Sequence, residues 1–274
     1  MPKFVDDTTV SSNQPTSVEQ PVVVQTTDPN FYEINGLPSR GQFYPEETKI
    51  FGRPMKILEL KQLCNINSEN ADNIINSVLK RVIKGIDIDS VMSADKLFLI
   101  FWERANTYPN SGYTLKGKCS LCDKEFSYDL FIDKLDIKYL DESFTTDKLT
   151  VKLPNSGDVI RFEYPRVRDE RTAENFKNST KVMKDADSDV ISQAVLIQTI
   201  NDKEMNILEK YSYIANMIPY DYAFFVSYIE HYSFGIRPVV IAQCSECGGE
   251  QPMAITFLGS PDFFIPTVEF ARSN

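Results

Sequence analysis

The sequence predicts an α+β chain in which a helical N-terminal module leads into paired β-hairpins, with a mixed helical and hairpin insertion between the two hairpins. Three observations carry that expectation. Apolar residues recur at helical spacing over 70–84 and again over 93–106. Four of the 5 cysteines form two Cys-x-x-Cys pairs, Cys119 with Cys122 and Cys244 with Cys247, each flanked by short strand-like segments. The stretch between the pairs, residues 123–243, is long enough to hold a body of its own.

Along the chain, residues 1–30 are rich in Ser, Thr, Gln, Pro, Asn and Asp. They offer too little apolar surface to offset the entropy of ordering them, and read as a disordered N-terminal arm with the Val22–Val24 triplet as its apolar exception. The helical module spans 31–112. It opens with Phe31–Pro45, whose glycines, prolines and aromatic rings suit a turn-rich segment, and continues with a strand and a helix start across Ile50–Leu60. In 70–84, Ala71, Ile74, Ile75, Val78, Leu79, Val82 and Ile83 share one face, with Ser68 as N-cap and Gly85 as stop. The next helix, Ser93–Asn106, has Ser93 as cap and Asp95 in its first turn. It is apolar all round from Leu97 to Trp102 and is expected at the module's centre. Arg104, near its end, is expected to pair with a carboxylate.

Residues 131–235 form the insertion. Alternation around Pro154–Asp158 predicts a hairpin over 148–164. Residues 168–200 start charged and turn helical late, at Val190, Ala194, Val195 and Ile197. Two more helices, 203–217 and 220–234, are split by Ile218-Pro219. In the second, Tyr222, Phe225, Tyr228, Ile229 and Tyr232 share a face that reads first as the chain's own core and otherwise as an interface anchor. Asp185–Asp189 imitates a calcium loop, but Val190 and Leu196 stand where glycine and glutamate are required. Asp87 and its acidic neighbours read as helix caps. Residues 259–274 read as a C-terminal tail.

Charge and composition bound the function. With 29 basic against 39 acidic side chains the net charge is -10, which argues against a broad nucleic-acid footprint. The 42% apolar content can supply a core, and no run is long enough for a membrane span. The acidic, polar start does not read as a signal peptide, so a soluble cytoplasmic protein is expected. The single histidine, His231, lies on the aromatic helix and reads as packed or hydrogen-bonded rather than catalytic; a non-enzyme is favoured.

The cysteines carry the chemistry. Two Cys-x-x-Cys knuckles facing one another complete the tetrahedral thiolate set that zinc prefers, with Zn–S near ~2.3 Å. Residues 113–130 and 236–258 then form a zinc-ribbon-like element holding one structural Zn2+ on Cys119, Cys122, Cys244 and Cys247. The residue after each second cysteine needs a left-handed backbone, which Gly248 adopts freely and Asp123 tolerates. Lys116, Lys118 and Lys124 are placed to soften the thiolate charge. An iron–sulfur cluster, redox dithiols and a metal-free set remain as alternatives. Cys64 reads as a small buried apolar residue.

Leu37-Pro-Ser-Arg-Gly-Gln-Phe-Tyr-Pro, the Ile57–Leu63 segment, Ser93-Ala-Asp-Lys-Leu-Phe-Leu-Ile-Phe-Trp-Glu-Arg, and then Tyr113 with its Cys-x-x-Cys follow one another in a telling order. Over about residues 35–130 the chain resembles the baseplate hub and hub-assembly proteins of T-even-like contractile-tailed bacteriophages. The resemblance implies a non-enzymatic role in building a tail baseplate hub, in the host cytoplasm or the virion, with other phage baseplate or hub proteins as partners. It implies no catalytic residues. Leu37–Pro45 and the aromatic helix 220–234 are the expected working surfaces. The competing reading is a zinc-ribbon adaptor for nucleic acid or a transcription complex, using Lys116, Lys118, Lys124 and Arg237.

Overall fold

A computed structural model describes residues 29–67, 70–109, 111–131, 134–179, 186–237, 239–255 and 261–266. The arm up to residue 28, with its valine triplet, lies outside the described residues, as do Ser68 and Asp185. The N-terminal half runs β1 (Tyr32–Glu33), β2 (Phe51–Gly52), α1 (Ile57–Leu63), α2 (Ala71–Val82), β3 (Ile83–Lys84) and α3 (Ser93–Thr107). The three strands form one antiparallel sheet in that order.

The helix expected over 70–84 stops at Val82, because Ile83 and Lys84 pair with Gly52 and Phe51. Gly85 then turns at φ +91°, where an added Cβ would lie 1.9 Å from the Lys49 carbonyl oxygen. The expected stripe is real: Ile75, Val78, Leu79 and Val82 are buried. Helix α3 is central as expected, with Phe98, Leu99, Ile100 and Phe101 buried. Ser93 is its first helical residue and not its cap. Burial of Glu103 pushes its carboxyl up to about 9, so it is neutral near pH 7.

The Leu37–Pro45 segment is not an open surface. Leu37 and Ser39 are buried, and Phe43 stacks on Phe234 with ring centroids 5.4 Å apart. Buried Asp95 accepts from the Ser39 N–H at 3.0 Å and the Tyr44 hydroxyl at 2.6 Å, and that hydroxyl accepts from the Met92 N–H at 3.0 Å. The first-turn carboxylate of α3 thus rivets this segment in place, and the rivet joins two cores.

After β4 (Tyr113–Lys118), β5 (Glu125–Leu130) and β6 (Ile137–Lys138) comes the second body. It comprises β7 (Thr150–Lys152), β8 (Val159–Phe162), α4 (Val167–Ser179), α5 (Ser188–Leu196), β9 (Ile197–Ile200), β10 (Lys203–Glu204), α6 (Ile207–Ala215) and α7 (Pro219–His231). Its antiparallel sheet has the order β10-β9-β8-β7. The 148–164 hairpin is β7–β8, and Asp221 in the first turn of α7 holds its loop by accepting from the Asn155 and Ser156 N–H groups, both at 2.9 Å. Two helices occupy the stretch read as helical only late, and Ile197 opens a strand instead of ending a helix. Polar α4 is tied on by Lys96, which reaches Glu170 at 2.7 Å and Asp72 at 2.8 Å. Asp187 caps α5 by accepting from the Asp189 and Val190 N–H groups.

The α7 rings Tyr222, Phe225 and Tyr228, with Tyr232 just beyond the helix end, line this second core together with Ile160, Phe162 and Ile197. Self-packing, the simpler reading of that face, holds. His231 is exposed and packs its ring T-shaped against Tyr232, with centroids 4.6 Å apart.

The chain then returns to the first core through β11 (Gly235–Ile236), β12 (Val239–Gln243), β13 (Glu250–Ala254) and α8 (Pro261–Phe264). The residues read as a tail include this last helix, whose Phe263 and Phe264 are 0% and 2% exposed. The apolar pair is what a tail reading overlooks. Arg104 is buried beside them and donates to the carbonyls of Phe263, Ser111 and Gly112, so it pairs with backbone and not with a carboxylate. Among the described residues no helix is long and apolar enough to cross a membrane.

Candidate metal centre

Each Cys-x-x-Cys pair turns the chain between two antiparallel strands, β4–β5 and β12–β13. The two turns are built alike. The Cys119 N–H donates to the Lys124 carbonyl at 2.9 Å, and the Cys244 N–H to the Gly249 carbonyl at 2.9 Å. The Asp123 N–H donates to the Cys119 carbonyl and the Gly248 N–H to the Cys244 carbonyl, again at 2.9 Å each. Asp123 has φ 61° and Gly248 φ 73°, the left-handed backbone expected at both positions. An L side chain there costs roughly 1–2 kcal/mol, least for Asp and Asn, and glycine avoids the cost.

The inner faces of the hairpins pack together. Tyr113, Leu115, Phe126 and Leu130 from the first, and Val240, Ala242 and Met253 from the second, are buried in one core. Gln251 braces the interface: it is buried, and its Oε1 accepts from the Ser120 N–H at 3.0 Å and the Ser120 hydroxyl at 2.8 Å. The sequence reading missed this residue. Its signal was the inward position of a polar side chain in an alternating strand.

All four cysteine sulfurs lie within 4.8 Å of one another. Cys119 Sγ is 3.7 Å from Cys247 Sγ, and Cys122 Sγ is 3.8 Å from Cys244 Sγ. A tetrahedron with metal–sulfur bonds of ~2.3 Å has edges of about 3.8 Å. A disulfide would need ~2.05 Å, and all four are free thiols. These close contacts run between the pairs, so the knuckles form one site and not two separate dithiols. Among the described residues no other group of three or more His, Cys, Asp or Glu side chains converges this way.

Cys119 and Cys244, the first of each pair, are buried; Cys122 is half-buried and Cys247 exposed. The Leu121 N–H donates to Cys119 Sγ at 3.4 Å. Desolvation pushes the Cys119 thiol up, but the Cys122 and Leu121 N–H groups and the neighbouring thiols outweigh it and hold the group at about 7. At Cys122 the Lys124 N–H pulls the thiol down, while desolvation and the other sulfurs drive it up to about 12. Crowded thiols lose successive protons with growing reluctance, and a divalent cation at their centre removes that penalty.

Two of the three lysines expected to soften this charge pair with carboxylates. Lys118 reaches Asp123 at 2.7 Å and Lys124 reaches Glu246 at 3.3 Å. Backbone N–H groups face the sulfurs in their stead. Cys64 lies apart from the cluster, half-buried against the first core. Asp87 caps a short helical turn, accepting from the Asp89 N–H.

No curated protein and no solved structure matches this chain. A family model does, described as T4 bacteriophage base plate protein. Its match covers residues 30–265, beyond the segment that carried the resemblance and including both knuckles and both cores. On that match, over most of its length, the chain belongs to the T4 bacteriophage base plate protein family.

Proposed function

We propose that the chain is a non-enzymatic structural or assembly protein of the baseplate hub, acting through interfaces with other baseplate or hub proteins. It carries one structural Zn2+ on Cys119, Cys122, Cys244 and Cys247. The observation that carries the metal is the pair of sulfur contacts, 3.7 and 3.8 Å, at the edge length of a tetrahedral thiolate site. Four protein thiolates fill such an ion and leave no position for a reacting water, so its work is to hold the hairpins together. The family match supports a place in the virion tail, with synthesis and assembly in the host cytoplasm.

The nucleic-acid adaptor is disfavoured by one observation. Of its four cations, Lys118, Lys124 and Arg237 are paired with Asp123, Glu246 and Asp136, which leaves little positive charge for phosphate. The test has two parts. Elemental analysis of purified protein should return about one zinc per chain. Mass spectrometry of purified particles against infected lysate should find the chain with hub proteins; a chain that co-purifies with nucleic acid and dissociates steeply with salt would overturn the proposal.

A further inference from the structure

The outer edges of the two hairpins differ in a way the metal does not require. Cys244·Gly249 and Cys119·Lys124 are hydrogen-bonded pairs, and antiparallel pairs alternate. Val239, Ile241 and Gln243 on β12, and Pro252 on β13, therefore point their backbone groups away from their partner strand. By the same count Thr114, Lys116 and Lys118 on β4, and Glu125, Ser127 and Asp129 on β5, point theirs outward. Among the described residues no hydrogen bond reaches the outward N–H groups of Val239, Ile241 and Gln243. Val239 is 43% and Ile241 61% exposed.

We propose that β12 is a self-pairing edge: two copies of the chain join antiparallel, about a twofold axis at Ile241, into a four-stranded sheet. In that register Ile241 faces Ile241 of the second copy and bonds it reciprocally. Val239 faces Gln243, so every outward N–H and carbonyl of the three residues finds a partner. Charge selects this edge from the four. Self-pairing of β4 about Lys116 would set lysine on lysine, and self-pairing of β5 about Ser127 would set Glu125 against Asp129. The β13 edge lacks a donor at Pro252. Strand β12, Val-Val-Ile-Ala-Gln, carries no charge at all. A twofold contact is the commonest closed assembly, and a neutral, open edge is a template for it. The net charge of -10 on each copy opposes association at long range, so added salt should strengthen it.

Sedimentation equilibrium on the full chain tests this. Wild type should show a concentration-dependent rise to twice the chain mass, favoured by salt. Ile241→Lys places like charges on the axis and should raise the dissociation constant by about tenfold or more, with zinc content unchanged. Lys116→Glu, on the guarded hairpin, should leave the dimer as it was. A monomeric wild type at high concentration and high salt would overturn the proposal. So would a dimer indifferent to Ile241→Lys, or one lost equally with Lys116→Glu.

Discussion

The two knuckle hairpins are alike where they face each other and unlike where they face away. Inside, the backbone bonds of one turn repeat in the other at the same 2.9 Å, and the closing residues share a left-handed backbone. Outside, the first hairpin presents Thr114, Lys116, Lys118, Glu125, Ser127 and Asp129, whereas the second presents Val239, Ile241, Gln243, Glu250, Pro252 and Ala254, with one charge among the six. A tetrahedral site demands the inner match, because four sulfurs must meet at one length and angle. It demands nothing of the outer faces. The inner half therefore reports on stability and the outer half on association.

The sharpest way to break the likeness is to remove one sulfur from each side. Cys119→Ser with Cys244→Ser should cost at least about 4 kcal/mol, since an ion held on the four thiolates would close a loop between cysteines more than a hundred residues apart. Thermal unfolding with and without chelator measures it; wild type in chelator should approach the double variant. Gln251→Leu comes next. Losing the side chain that bridges the Ser120 N–H and hydroxyl should cost about 1–3 kcal/mol, measurable by denaturant unfolding.

Replacing the closing residues tests the backbone match more finely. Gly248→Val forces a branched side chain into the left-handed region and should cost about 1–2 kcal/mol. Asp123→Gly, in the twin position, should change stability by less than about 0.5 kcal/mol, with strain relief offsetting a lost surface ion pair. Equal effects at the two sites would contradict the shared geometry. The smallest effect belongs to the outer faces: Lys116→Ile should move the unfolding midpoint by no more than about 0.5 kcal/mol in equivalent stability.

Much of this centre was legible in sequence because its causes are local. Cys-x-x-Cys spacing, flanking alternation and the demand for a left-handed residue after the second cysteine are all read within about ten residues. The buried stripe of α2 and the apolar middle of α3 were legible for the same reason. What escaped depends on contacts across the chain. Val82 ends α2 because Ile83 finds Gly52, some thirty residues earlier. Arg104 finds the carbonyl of Phe263, 159 residues away, where a nearby carboxylate was expected. Polar α4 was read as a charged stretch because its apolar face is thin, and the Leu37–Pro45 segment was read as open because its rivet, Asp95, lies on another helix.

X-ray absorption at the zinc edge on the purified full-length chain tests the central claim most directly. The account predicts four sulfur neighbours at ~2.3 Å and no oxygen or nitrogen in the first sphere. A mixed sulfur and light-atom shell, or a chain that folds with full stability and no bound metal, would contradict it.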